Sequence, residues 1–191
     1  SINGTPNGLE SILISPTNGS SIFDLAGNGA EATQAVSSAT IKDKTLPTLS
    51  FNPQNESKNV ARSSNMIITA SESIRKVVPS HFGTYEINDQ NIDTLITLSY
   101  DNPNGAPIAF DAKISADKKI ITVDPVLNFK FGSTIFISLT GFEDFGGNLP
   151  SQSTSASFDV IENVKPVAIA QNVELNEDDS LSIALSGSDS E

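Results

Sequence analysis

The chain has 191 residues, no cysteine, no tryptophan, one histidine, and a net charge of −12 with a pI near 4.3. That balance disfavours nucleic acid and anionic membrane surfaces and suits divalent cations, while the missing cysteines exclude a disulfide framework and thiol chemistry without excluding export. No run of about 18 apolar residues occurs, so no membrane contact is expected in this segment, and no signal peptide is visible.

In chain order, the first clear punctuation is "FDLAGN" (Phe23–Asn28), an Asp-x-Ala-Gly-Asn turn. A series of short segments with period-two alternation follows, the pattern of half-buried strands. "LPTLSF" opens it and "NMIITASE" comes next. "LITLSY" puts Ile96, Leu98 and Tyr100 on one face, and "PIAFDAKIS" turns Ile108, Phe110, Ala112 and Ile114 inward with Asp111 and Lys113 outward. "KIITVDP" points Ile121 and Val123 inward, "STIFISLTG" aligns Ile135, Ile137 and Leu139, and "ASFDVI" closes the set. Turn signals separate them: "NPQN", "NPNG", "ADKK", "FGS" and "GGNLP". "SIRKVV" (73–78), the densest basic cluster, reads as a solvated strand edge. No stretch has helical periodicity. The expected fold is all-β, an Ig-like antiparallel β-sandwich of about seven strands.

The first turn recurs. "EDFGGN" (Glu143–Asn148) repeats it 120 positions later, Asp144 matching Asp24. The flanks repeat as well: "IKDKTLP" matches "IENVKP", with Ile41 on Ile161, Asp43 on Asn163 and, after one deletion, Pro47 on Pro166. A repeat of about 120 residues is the size of one compact domain. The expected organisation is the tail of a preceding copy over 1–43, a complete copy over 44–162, and the truncated head of a following module over 163–191. The chain reads as a window on a longer tandem array.

"PTLSFNPQNESKNVARSSNMIITASESI" and "KKIITVDPVLNFKFGSTIFISLTGFEDFGGN" resemble the bacterial Ig-like domains of tandem-repeat surface adhesins. "PVAIAQNVELNEDDSLSIALSGSDSE" (166–191) is similar to the opening of a bacterial cadherin-like repeat. The likeness covers nearly the whole chain. It departs mildly at Phe136, where the family carries tyrosine, and more seriously at Asn163, which replaces the linker aspartate. The resemblance implies a structural and adhesive repeat segment of a large extracellular or bacterial cell-surface protein, projecting a distal binding domain. Its partners would be neighbouring repeats, and host, surface or glycan ligands reached through other domains.

Ig-like topology returns the second strand and the next-to-last strand to the N-terminal pole, where the incoming linker also arrives. Asp43, Glu72 and Asp144 should therefore converge, with Asn148 beside them. At the next junction the same logic gathers Glu162, Asn163, Asp189 and Glu191, and Asp24 is the counterpart of Asp144 in the preceding copy. Carboxylates with Asn and backbone oxygens are what Ca²⁺ requires, six to eight hard oxygen ligands bound at about 10⁻⁴–10⁻³ M in extracellular modules. The same motif is also plain turn chemistry, with Asp24 and Asp144 capping N–H groups, glycine supplying positive φ and Asn28 and Asn148 tolerating it; the two roles are compatible. "NEDDS" (176–180) reads as a solvated turn.

No enzyme is expected. His81, the single histidine, sits in "PSHFG", which is no nucleophile elbow and reads as a strand-edge or loop residue. Zinc lacks its softer ligands. Stacking aromatics for a sugar cleft are scarce, with Tyr85 and Tyr100 the only tyrosines. The alternatives are a non-catalytic spacer in a secreted multidomain enzyme, or a glycan-binding accessory module using Phe82 and Tyr85 in "SHFGTYEINDQN".

Overall fold

The computed structural model describes residues 10–13, 18–31, 38–77, 86–151 and 154–189. Near its start, β1 (Ser11–Leu13) pairs antiparallel with β2 (Ser38–Thr40). The strands β3 (Leu49–Asn52), β4 (Met66–Ala70), β5 (Ile74–Lys76) and β6 (Ile96–Tyr100) follow. Next come β7 (Phe110–Ile114), β8 (Ile120–Pro125), β9 (Thr134–Leu139), β10 (Phe142–Asp144) and β11 (Ser155–Asp159). Last, β12 (Val167–Ala168) pairs with β13 (Gly187–Ser188) in the segment over 164–189, whose side chains are exposed.

Two antiparallel sheets form the centre, one in the order β3-β4-β8-β7 and the other β11-β9-β6. Alternation decides what each contributes. Along β4, Met66, Ile68 and Ala70 are buried while Ile67 and Thr69 face out; β8 buries Ile121 and Val123, and β7 buries Ala112. From the other sheet come Ile96, Leu98, Ile135, Ile137, Leu139, Ala156 and Phe158. These side chains belong to one core cluster, so the architecture is a β-sandwich. Phe129 closes it, fully buried and edge-on to Phe158 at 5.9 Å between ring centroids.

Two features depart from the alternation reading. Ile92–Leu95 forms a single 3-10 turn that buries Ile92 and Leu95. In addition, β5 pairs with β10, in segments read as a solvated edge and a loop. Within the "SIRKVV" cluster, Ile74–Lys76 is therefore a half-buried paired strand. Ile74 is 1% exposed, and Arg75 Nε donates to Glu143 Oε1 at 2.9 Å. Its guanidinium also stands 5.8 Å from the Phe145 ring. Three-residue strands are too short for period two to declare itself, and here Phe142 and Ile74 anchor the pair through burial.

Candidate metal centre

The loop after β10 is built by one aspartate. Asp144 N–H donates to Asn148 O at 3.1 Å and Gly147 N–H donates to Asp144 O at 3.3 Å. The carboxylate then accepts Asn148 N–H at Oδ1 (2.7 Å) and Asn148 Nδ2 at Oδ2 (2.8 Å). Gly147 supplies the left-handed φ of 84° that the turn demands. The first copy repeats every one of these bonds. Asp24 N–H donates to Asn28 O at 3.0 Å and Gly27 N–H to Asp24 O at 3.1 Å, with Gly27 at φ 88°. Asp24 accepts Asn28 N–H at 2.8 Å and Asn28 Nδ2 at 2.9 Å. Both copies thus serve as turns.

Their surroundings differ. Asp24 is exposed, whereas Asp144 is 0% exposed. The incoming linker accounts for part of this cover. Asn148 Nδ2 also faces Asp43 O and Thr45 O, each at 3.2 Å, so a side chain of the loop grips the linker backbone. Asp43 is itself 5% exposed and caps Thr45 N–H through Oδ1 at 2.8 Å. Pairing of Ser71 with Thr48, through the Ser71 N–H to Thr48 O bond at 2.9 Å, then brings Glu72, two residues beyond the end of β4, to the same pole.

Asp43, Glu72 and Asp144 each place a carboxylate oxygen within 4.8 Å of the others. None of the ion pairs among the described residues involves them. At this spacing the repulsion of each charged pair is of order 3 kcal/mol at an effective dielectric near 20. Glu72 registers it. Burial first, then the charges of Asp144 and Asp43 and a hydrogen bond with Asp43, push its carboxyl above the ordinary 4.5, against a smaller pull from Lys119. Asp24, with no such neighbours, is held below its ordinary value, first by the Asn28 side chain. The donor set is hard oxygen, which fits Ca²⁺ or Mg²⁺ and not zinc or copper.

At the other end, Asn163 and Asp189 line one hollow of about 510 Å³ with Arg62 and Phe131. Arg62 lies 4.0 Å over the Phe131 ring and its Nε donates to Phe129 O at 2.7 Å, so a cation of the protein already occupies this side. Glu162 turns its carboxylate toward Gly132, where an added Cβ would sit 2.4 Å from Oε2. Among the described residues no second cluster of three acids forms; Glu191 lies outside them, as do His81, Phe82 and Tyr85. The residue that sequence reasoning missed is Gly146, which packs against Asp43. Its one visible trace was the alanine at the matching position, Ala26.

No protein-family model matches the chain, and no curated protein matches it. Among solved structures it is similar to an LD transpeptidase in complex with imipenem, at 11% identity and a TM-score of 0.36. The likeness covers 65% of this chain and 43% of that one, and at this level it carries no argument about the site.

Proposed function

We propose that this chain is a structural, adhesive repeat segment of a large bacterial surface or secreted protein, and that Ca²⁺ at the linker junction sets the angle between successive modules. The observation that supports this is the meeting of Asp43, from the linker, with Glu72 and Asp144, from the sandwich. Three carboxylates with no ion pair among the described residues repel one another, and that repulsion opposes the seating of the linker without abolishing it. A divalent cation reverses the sign. Asp43, Glu72 and Asp144 would hold it, with water completing the six to eight oxygens that calcium takes. One ion then ties the linker to the module and selects one orientation, where few contacts between domains would otherwise leave them free to move. Weak extracellular-range affinity suits such a role, because the site fills only where calcium is plentiful.

The test is calorimetric titration of the chain with calcium. The expected result is one site with Kd of about 10⁻⁴–10⁻³ M, lost in Asp43→Ala and in Asp144→Ala and retained in Asp24→Ala. Equal binding by wild type and both junction variants would sink the proposal.

A further inference from the structure

Gly146 has no positive φ, so the turn itself does not demand glycine there. The first copy supports this, since Ala26 occupies the matching position within the same four hydrogen bonds. Space is what demands it. A Cβ added at Gly146 would lie 2.8 Å from Asp43 Cβ, 3.0 Å from Asn148 Nδ2 and 3.2 Å from Asp144 Oδ1. The nearest of these is the base of a side chain, so relief requires the linker backbone to move. The glycine therefore opens a seat, and Asn148 Nδ2 holds the linker in it through Asp43 O and Thr45 O.

We propose that the Asp144–Asn148 loop is a receptor for the linker segment Asp43–Thr45, and that its third position selects the junction: glycine admits a docked linker, and alanine, as at Ala26, excludes it. Docking by steric fit and amide recognition needs no cation, and of the reading above it borrows only the succession of modules. An array would then carry tight and loose junctions, written in one residue per repeat.

Limited trypsin digestion in chelator tests this. Lys42 and Lys44 are the first basic residues of the chain, so cuts there release the N-terminal segment and report on the linker alone. Gly146→Ala is expected to speed these cuts about tenfold, the local opening that overpacking of this size produces. Ala26→Gly should leave them unchanged. In an Asp43→Gly background the clashing Cβ is gone, and Gly146→Ala should add less than about a factor of two. An unchanged rate in Gly146→Ala, or the same acceleration in both backgrounds, overturns the proposal. So does simultaneous cutting at Lys118 and Lys119, which would mean that alanine unfolds the module instead of releasing the linker. Because calcium is absent throughout, docking and metal binding are read separately.

Discussion

Asp24 and Asp144 make the same hydrogen bonds at nearly the same distances, yet one is exposed and the other fully buried. Their consequences differ accordingly. Asp144→Ala removes both carboxylate acceptors and leaves the Asn148 backbone N–H without its partner, while Asn148 Nδ2 keeps only Asp43 O and Thr45 O, at a cost of about 1–3 kcal/mol by denaturant titration. Asp24→Ala should leave the midpoint of the main transition where it is. The titration of Glu72 gives a second prediction. Its folded-state pKa is raised, so it favours the folded state below its ordinary 4.5, and that contribution disappears as pH rises through the raised value. In chelator the melting temperature should fall over that interval, and Glu72→Gln should flatten the fall. Calcium competes with the same proton, so its effect should be smaller near the lower end of the interval than at neutral pH. Asp117 and Asp159 have lowered values, first through Ser115 and Lys58 respectively; they contribute stability that is lost as pH falls below 3.8.

At the scale of elements, the seven strands with four or more residues were legible because each repeats period two long enough to separate its faces. Met66, Ile68 and Ala70 against Ile67 and Thr69 is the plainest case. The β5–β10 pair was not legible. Three residues give one and a half periods, and Arg75 with Glu143 looks like surface charge until their pairing is seen. That pair nevertheless positions the candidate metal centre, since Asp144 is its last residue. Phe142, 1% exposed in β10, is its anchor. Phe142→Ala should cost about 3–5 kcal/mol and weaken calcium binding with it, because the cavity lets β10 shift. Phe145→Ala, at a position 39% exposed, should cost well under that and leave binding intact.

For the whole molecule, the meeting of Asp43, Glu72 and Asp144 was legible across a separation of 101 positions, from Asp43 to Asp144, because sandwich topology returns alternate strands to one pole. Hydrophobic pattern names the strands, their order names the pole, and the acids at strand ends follow. What topology cannot supply is distance at the scale of a methyl group. Gly146 and Asp43 touch through tertiary packing, and only the substitution of Ala26 between copies hinted at it. At the other end the same limit applies: sequence placed Asn163 and Asp189 together, and they line one hollow, but gave no sign that Arg62, stacked on Phe131, shares it.

If a cation joins the linker to the sandwich, thermal melting registers it without further assumptions. The chain is melted in about 5 mM calcium and again in chelator, a concentration chosen to exceed the expected Kd. The midpoint is expected about 5 °C or more higher in calcium, with no difference in the Asp43→Ala, Asp144→Ala double variant. Equal midpoints for the wild-type chain in calcium and in chelator would contradict it, leaving the Asp144 loop as a turn and the junction as a linker seated without metal.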